Sequence, residues 1–259
     1  MPEGHIAHRS ARDIGGDLAG QRVRVTSPQG RFAAEAATLD DTVLADTDAY
    51  GKHLFLRFAS GATVHVHLGT QGTWLRSTDP ASAPRPQVRL RIASNEVAWD
   101  LVAPGACELL DEPGVDAIKA RLGPDPLRDD ADEDAVVAAL VSASRPIGAV
   151  LLDQKVISGV GNVFRSEALH AAGIAPGRPG RHLSAEDGHQ LWRILCRMMR
   201  QAVADGRIVT VDTPDRLELP ESETRKVYRQ THCRDCGTPV VTSVVGGRTA
   251  YHCPKEQPE

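Results

Sequence analysis

The hydrophobic pattern of the chain changes its period near residue 124, and this change limits the fold more than any other feature. Before it, four stretches alternate apolar and polar residues and are separated by Gly, Pro, Ser and Asn. These stretches are 54–58, 63–67, 88–92 and 97–102. Such alternation is typical of antiparallel strands with one buried face. The first half is therefore predicted to be a β-sandwich or small barrel behind a leading helix.

Beyond residue 130, apolar residues recur at the spacing of an α-helix, in 135–142 and again in 191–202. The residues that bound the second helix are Ser184 and Asp187, a capping box, and Gly206. Pro-Asp-Pro at 124–126 and the acidic run after it indicate a joint between domains, although an acidic helix N-terminus at 132–134 gives the same pattern. The predicted fold class is α+β with two domains.

The charge distribution keeps a nucleic-acid partner open, although the net charge is −4. Ten acidic and three basic residues lie between Glu108 and Asp134, a local charge of −7, which leaves +3 for the rest of the chain. Arg193, Arg197 and Arg200 recur at helical spacing. This basic face is either a solvated surface or part of a polyanion contact.

Three of the five cysteines, Cys233, Cys236 and Cys253, lie close together near the end of the chain and are called the cysteine cluster below. An odd-numbered cluster favours a metal over disulfides, and the short β-like runs between its members are typical of a zinc-stapled hairpin. Cys107 and Cys196 have apolar neighbours, as buried cysteines do. No apolar run reaches transmembrane length and no secretory signal is visible, so we expect a cytoplasmic protein.

The N-terminal Pro2 and Glu3 allow two interpretations. Proline at the first position of a helix with an acid beside it is an ordinary helix start. Alternatively, once Met1 is removed, Pro2 presents a secondary amine next to a carboxyl group, and this pair can attack an electrophilic carbon.

A second chemical signal is the glycine-rich break at 159–162, inside the apolar segment 146–174. The pattern predicts a helix, a tight turn and a second helix that begins near Val163. Glycines allow close approach of a ligand, and the free N–H groups of a helix start favour an anion such as phosphate. A simple packing turn gives the same pattern.

Six segments occur along the chain in this order: PEG at the N-terminus, GKHLFL at 51–56, HLGTQG at 67–72, LGPDPL at 122–127, LLDQKVISGVGNVFRSEAL at 151–169 and the C-terminal cysteine hairpin. Together they resemble the formamidopyrimidine-DNA glycosylase and endonuclease VIII (Fpg/Nei) family. The PEGH start and GRF at 30–32 are most similar to its actinobacterial endonuclease VIII branch. The resemblance implies three domains: 1–127, a catalytic β-sandwich; 128–226, a DNA-binding helix-two-turns-helix domain; and 227–259, a zinc-finger-like β-hairpin.

The resemblance also implies a bifunctional DNA glycosylase and abasic-site lyase of base excision repair. The amine of Pro2 attacks C1′ of the damaged nucleotide and expels the base, and the resulting iminium lets both phosphates leave by β,δ-elimination. Glu3 is the implied acid/base partner, and Lys52 contacts phosphate and assists the chemistry. A secondary amine suits this role because its pKa lies nearer neutrality than that of lysine.

The implied DNA contacts are His67, Asn162 with the backbone of Gly161, and Arg248 at the tip of the hairpin. They fit a monomer that binds damaged DNA without a redox or nucleotide cofactor and flips the target nucleotide out, because binding to the DNA backbone must offset the cost of that flip. By composition alone, Lys52 and His67 are also ordinary sheet residues.

The hairpin departs from the family pattern C-x2-C-x16-C-x2-C, because its fourth position is Glu256. A carboxylate can ligate zinc, so we expect one structural zinc ion held by the cysteine cluster and Glu256. His232 or His252 could replace Glu256 by a change of register. The remaining alternative is a hairpin that folds without metal.

The segment HLGTQG departs as well. The family places a bulky residue such as Met or Leu after HLG to fill the space left by the flipped nucleotide, whereas this chain has Thr70 and Gln71. Gln71 is long enough to enter the base stack, but an apolar wedge is missing. This indicates slow opening of duplex DNA or a preference for single strands.

The short segment between Gly206 and Tyr228 favours oxidised pyrimidines as substrates. An enzyme that acts on 8-oxoguanine remains an alternative. Two other functions remain alternatives: a non-catalytic protein that binds damaged DNA on the same fold, and a zinc-hairpin module for protein interaction. The second leaves the N-terminal PEG and the GVGN turn without a role.

Overall fold

Residues 2–259, which the computed structural model describes, fall into a unit of strands behind one helix and a unit of helices followed by a hairpin. The units are Met1–Arg121 and Leu122–Glu259. The further separation of the hairpin at 227–259 stays a prediction. Among the described residues, no helix combines the length and apolar character needed to cross a membrane.

The first unit contains three helices and eight strands. The helices are α1 (Gly4–Leu18), α2 (Ala33–Leu39) and α3 (Glu112–Lys119). The strands are β1 (Arg22–Thr26), β2 (Thr42–Tyr50), β3 (His53–Phe58), β4 (Thr63–His67), β5 (Thr73–Ser77), β6 (Val88–Ala93), β7 (Ala98–Val102) and β8 (Ala106–Leu110). The predicted leading helix is confirmed as α1, and the four predicted strands are confirmed as β3, β4, β6 and β7.

Every strand pair of this unit is antiparallel, in the order β5-β7-β6-β1-β2-β3-β4-β8. The eight strands form two groups of four: β5, β7, β6 and β1, and β2, β3, β4 and β8. Strand β1 connects the groups, because its residues 24–26 pair with β6 and its residues 22–23 pair with β2. Apolar side chains from both groups enclose a single core with the buried side of α1. The predicted antiparallel sheet behind a leading helix is therefore confirmed.

Helix α1 lies close against β2. A Cβ atom added to Gly15 would lie 2.4 Å from Oγ1 of Thr47, so the helix can approach only because this position is glycine. The same hydroxyl donates to the carbonyl oxygen of Ala11 at 2.6 Å. Ile14 and Leu18 are completely buried on this side. The packing fixes the helix whose first turn follows Pro2 and Glu3.

The second unit contains four helices, two short 3-10 turns and one hairpin. The helices are α4 (Glu133–Ser142), α5 (Ile147–Val150), α6 (Asn162–Ala171) and α7 (Ala185–Asp205), the 3-10 turns are Gly180–His182 and Glu221–Glu223, and the strands are β9 (Val241–Val245) and β10 (Arg248–His252). The capping box at Ser184 and the left-handed Gly206 confirm the predicted ends of α7.

The acidic run after Pro-Asp-Pro is a helix start. Oδ1 of Asp132 accepts from the backbone N–H of Ala135 at 2.9 Å, which satisfies one of the free donors of α4. Glu133 and Asp134 occupy the first turn, where negative charge is favourable. The predicted helix N-terminus at 132–134 is therefore confirmed, while the joint at 124–126 stays a prediction.

Gly180 packs directly against the end of α4. A Cβ atom at this position would lie 2.1 Å from the carbonyl oxygen of Leu140, a backbone atom that cannot move aside. Nearby Gly177 has open space around its Cβ position. These two glycines form a matched pair for testing the packing.

We expect Gly180→Ala to lower the free energy of unfolding by about 1–3 kcal/mol because the added methyl group overpacks the contact with α4. Gly177→Ala, the control, should change it by less than about 0.5 kcal/mol. Urea unfolding followed by circular dichroism measures both. Equal stability of the two variants would contradict the close approach at Leu140.

Candidate active site and nucleic-acid interface

Pro2 and Glu3 lie immediately before α1, and Glu3 is its N-cap residue in an extended conformation. The Glu3 carbonyl accepts from the backbone N–H of Ile6 at 3.0 Å, while its side chain makes no capping bond. Only 1% of Glu3 is exposed. The chain therefore holds a buried carboxyl group beside Pro2, at the positive end of a helix. Met1, whose removal the predicted chemistry requires, lies outside the described residues.

Lys52 lies in the tight turn between β2 and β3. Tyr50 pairs with His53 across this turn, and Gly51 supplies the positive φ of 58° that a two-residue hairpin needs. Helix α1 packs on both strands. The turn presents Lys52 at the edge of the same unit that carries Pro2 and Glu3.

Three histidines beside Lys52 form a row across β3 and β4. Their rings belong to His53, His65 and His67, and the His53 ring centroid lies 5.1 Å from that of His65 and 5.0 Å from that of His67. Phe55 stacks on the other side of His65 at 5.4 Å. We call the three residues the histidine row.

Hydrogen bonds fix which nitrogen of each neutral ring carries the proton. The Glu108 carboxylate accepts from Nδ1–H of His65 at 3.3 Å, so Nε2 of His65 accepts from Nδ1–H of His53 at 2.9 Å. Nδ1 of His67 accepts from the backbone N–H of Gly69 at 3.2 Å. His67 therefore keeps its proton on Nε2 and can donate it to an anion.

The histidine row is held neutral. Burial, followed by the neighbouring charges of the row, Arg121 and Lys52, lowers the pKa of His53 to about 3. Burial also lowers the pKa of His65, although Glu108 opposes the shift, and the pKa of His67, where His65 and Lys52 add to it. At neutral pH, His67 thus acts as an uncharged N–H donor.

The turn after β4 presents the two residues that replace the family's bulky wedge. The backbone N–H of Gly72 donates to the Leu68 carbonyl at 3.0 Å, and a Cβ at Gly72 would lie 2.3 Å from that oxygen. Gly69 has a φ of 67°. Thr70 and Gln71 are both exposed in this turn. The structure therefore leaves the Gln71 side chain in solvent.

The glycine-rich break of the second unit ends at the start of α6. Gly161 is the N-cap and Asn162 the first helical residue, one position before the predicted start. The Gln154 side chain braces the turn, because it donates to the Val160 carbonyl at 2.9 Å and accepts from the N–H of Gly159 at 3.1 Å. The segment before the turn contains α5, which is only one helical turn long. The first helix of this motif is therefore shorter than the sequence indicated.

The hairpin tip lies against this helix start. Gly246 and Gly247, with φ of 64° and 72°, form the turn, and Arg248 follows as the first, exposed residue of β10. Nδ2 of Asn162 donates to the Thr249 carbonyl at 3.0 Å. The structure thus brings together Gly161, Asn162 and Arg248.

Arg165 connects helix α6 to the hairpin tip. Its side chain is completely buried, and its guanidinium donates to the carbonyl oxygens of Val245 and Thr249, each at 2.8 Å. These residues flank the hairpin tip on opposite strands. Arg165 therefore fixes the backbone on both sides of Arg248.

Glu167 lies in α6 and anchors the segment that leads into the hairpin. Its carboxylate accepts from the backbone N–H groups of Lys226, Val227 and Tyr228 at 2.9, 3.0 and 2.7 Å. Only 1% of the residue is exposed. A buried carboxylate is stable here because several donors satisfy it.

The sulfur atoms of the cysteine cluster all lie within 4.8 Å of one another. Backbone N–H groups of residues 235 and 236 point to Sγ of Cys233, and those of 255 and 256 point to Sγ of Cys253. The cluster can bind a metal ion. The Glu256 side chain is exposed and, like every other described His, Asp or Glu, does not share this 4.8 Å group.

The sequence matches the model of the formamidopyrimidine-DNA glycosylase N-terminal domain over residues 1–102 and that of the formamidopyrimidine-DNA glycosylase H2TH domain over 122–213. It is 42% identical to endonuclease 8 1 of Mycobacterium tuberculosis, across 98% of both chains. The chain belongs to the formamidopyrimidine-DNA glycosylase family. It is thus a DNA repair glycosylase of the Fpg/Nei type, as the sequence motifs indicated.

Other family members share the architecture. The formamidopyrimidine-DNA glycosylase of Thermus thermophilus is 29% identical, across 100% of this chain and 98% of the relative. The Lactococcus lactis Fpg in a complex with abasic-site DNA superposes with a TM-score of 0.81 at 21% identity, across 99% of this chain and 100% of that one. This likeness confirms the predicted fold class, including the helical H2TH domain.

Sequence reasoning missed several residues that organise these sites: Arg165, Glu167, His53 and Glu108. Arg165 and Glu167 lie between the apolar residues Val163, Phe164, Ala168 and Leu169, and charged residues inside such a run are a signal of buried, paired groups. No comparable signal marked His53 and Glu108, because their partners come from other strands.

We expect His53→Asn to reduce the loss of stability in acid. The pKa of His53 lies well below that of an unfolded histidine, so below about pH 6.5 the unfolded state binds protons first and the folded state loses stability, down to about pH 3. Between pH 7.5 and 5, urea unfolding should show wild type losing about 2 kcal/mol more than His53→Asn. His182→Asn, at an exposed position, is the control, and identical pH profiles for His53→Asn and wild type would refute neutral burial of His53.

Proposed function

We propose that this family member is a bifunctional DNA glycosylase and abasic-site lyase that excises oxidised bases, with oxidised pyrimidines favoured. The observation that carries the proposal is the buried carboxyl of Glu3 beside Pro2 at the start of α1. Family membership gives this pair its context, because the N-terminal domain model matches from residue 1.

Pro2 is the proposed nucleophile once Met1 is removed. Its secondary amine adds to C1′, the amine proton passes to the departing base, and the nitrogen lone pair then forms an iminium to C1′ as the sugar ring opens. Glu3 gives the ring oxygen its proton and later takes a proton from C2′, which lets the 3′ phosphate leave. A second elimination releases the 5′ phosphate. Low exposure of Glu3 shields these transfers from bulk water.

Lys52 and His67 are the proposed phosphate contacts of the first unit. Lys52 carries positive charge, whereas His67 donates its Nε2–H as a neutral ring because Gly69 occupies Nδ1. A neutral donor binds phosphate without the desolvation cost of a buried cation. Gln71, exposed in its turn, is proposed to enter the space left by the flipped nucleotide.

The second unit is proposed to hold the DNA backbone at the start of α6 and the hairpin tip. The start of α6 at Gly161 carries the positive end of the helix dipole, which favours a phosphate. One amide hydrogen of Asn162 is bonded to Thr249, so the other remains for DNA. Arg248, exposed at the tip, adds a charged contact. Similar proteins of known structure contain DNA with abasic or Fapy-dG sites.

The test of the chemistry is borohydride trapping on duplexes that contain an abasic site, thymine glycol or 8-oxoguanine. We expect wild type to form a permanent crosslink, because borohydride reduces the iminium to a stable amine. Pro2→Gly, which changes the secondary amine to a primary one, should weaken trapping, and Glu3→Gln should reduce base excision by at least about a hundredfold.

The controls separate this proposal from its alternatives. Gln71→Ala keeps Pro2 and Glu3, so it should trap on the abasic duplex while losing activity on damaged bases. Trapping on 8-oxoguanine but not thymine glycol would reverse the proposed substrate preference. No crosslink on any duplex, from protein whose Met1 is confirmed removed, would leave a DNA-binding protein without the chemistry.

We further propose that the cysteine cluster holds one structural zinc ion. Three sulfur atoms within 4.8 Å of one another, with backbone N–H groups pointing to two of them, fit the thiolate corner of a tetrahedral site. Zinc would crosslink the two ends of the hairpin that carries Arg248. No step of the base excision chemistry passes through it.

We expect the purified protein to contain close to one zinc ion per chain by elemental analysis. Removal with a strong chelator should weaken binding to abasic duplex by about tenfold or more, because the hairpin loses its crosslink. Cys196→Ser, at a cysteine outside the cluster, is the matched control for Cys253→Ser. Metal-free protein with unchanged DNA affinity would refute the role of zinc.

A further inference from the structure

A tetrahedral zinc site needs a fourth donor beside the three sulfurs of the cysteine cluster. Glu256 occupies the fourth position of the sequence spacing, but its side chain is exposed. The next residue, Gln257, is buried and accepts from the backbone N–H of Cys253 at 2.9 Å, which fixes the chain on either side of Glu256. The donor can therefore come from another element.

His170 is the histidine that contacts the cluster. It lies at the end of α6 with 6% of its surface exposed, and its Nε2 is 3.7 Å from Sγ of Cys233. Zinc bonds of about 2.05 Å to nitrogen and 2.3 Å to sulfur place the two atoms about 3.6 Å apart and two sulfurs about 3.8 Å apart. The sulfurs of Cys236 and Cys253 are 3.5 Å apart. Both observed distances are therefore close to those expected between two ligand atoms of a tetrahedral zinc site.

The other contacts of His170 leave the ring available. Nδ1 is buried and has no hydrogen-bond partner among the described residues, so no bond at this nitrogen restrains the ring. Nε2 lies 3.1 Å from Oδ2 of Asp235. Asp235 does not depend on this bond, because both its oxygens lie 2.9 Å from Nζ of Lys226.

Charge also favours an imidazole over a carboxylate in this place. Zinc with three thiolates and a neutral histidine has a net charge of −1, whereas Glu256 in place of the histidine would make it −2. Cys233 and Cys253 are almost fully buried, and the cost of burying charge rises with its size. The histidine set is therefore the more stable one at this depth.

We propose that His170 completes the zinc site and that Glu256 lies outside it. This inference rests on the proposed zinc ion. As the side chains lie, no ring nitrogen of His170 is within 4.8 Å of all three sulfurs, so binding draws the ring and the thiolates together as the thiol protons are released. The ion then joins the hairpin directly to α6, the helix that begins at Asn162.

Cobalt(II) substitution tests the assignment, because its visible bands report the donor set independently of catalysis. We expect Glu256→Gln to keep the wild-type spectrum. His170→Ala should shift the bands and weaken cobalt affinity by at least about tenfold in chelator competition. His170→Cys should raise the thiolate charge-transfer absorption by about one third, as a fourth sulfur joins three.

The variants also separate failure of this inference from failure of the zinc proposal. A spectrum that changes in Glu256→Gln and not in His170→Ala, or in neither, would overturn His170 as ligand while leaving the metal site in place. Wild type that binds no cobalt would overturn the zinc proposal itself. Because His170→Cys is scored by a gain of absorption, its result does not depend on loss of folding, and absence of that gain in folded protein would refute the assignment.

Discussion

The buried guanidinium of Arg165 is the interaction on which the second unit depends. A charge without solvent contact is stable only where enough acceptors surround it, and here the acceptors are carbonyl oxygens on both strands of the hairpin. The two carbonyls belong to Val245 and Thr249, at the two sides of the Gly246–Gly247 turn. The hairpin tip is thus held in place by hydrogen bonds to α6 as well as by its own strand pairing.

The same helix carries polar residues along its whole length, each tied to a different segment. Asn162 bonds to β10, Glu167 binds three consecutive backbone N–H groups before the hairpin, and His170 contacts the first cysteine of the cluster. A helix so completely buried would normally be apolar. Each of these polar residues contacts a backbone or sulfur group of the hairpin or of the segment that leads into it. Helix α6 therefore sets the positions of both proposed phosphate contacts in this unit.

In the first unit the equivalent constraint is the burial of the histidine row. Three imidazoles packed together cannot all be charged, because burial and mutual repulsion disfavour the protonated form. The row instead transmits a fixed hydrogen-bond direction from Glu108 through His65 to His53. Lys52 then supplies positive charge at this edge, and His67 supplies a directed but uncharged donor. Under the proposed function, this division separates attraction of the DNA backbone from its positioning.

Sequence alone determined the features that depend on local pattern or on contiguous motifs. Strict alternation revealed β3, β4, β6 and β7, and the capping box with Gly206 set both ends of α7, because these signals lie within a few residues of one another. Strands β2 and β5 were not predicted from the sequence. The β2 segment has few fully buried residues, and β5 is an edge strand with little burial, so neither shows a clear apolar alternation. The order of the six family motifs established the family, and Pro2 and Glu3 as the candidate active pair.

Tertiary structure decided which residues meet. The pairing of Arg165 with the hairpin joins positions 80 and 84 residues apart, and that of His65 with Glu108 joins different strands, so no local spacing records either contact. The fourth corner of the proposed metal site shows the same limit. Sequence spacing selected Glu256, whereas folding brings His170, from a helix more than sixty residues earlier, to the cluster. Spacing in the chain indicates ligands that lie within the hairpin, whereas a residue of another element reaches the cluster only through the packing of α6.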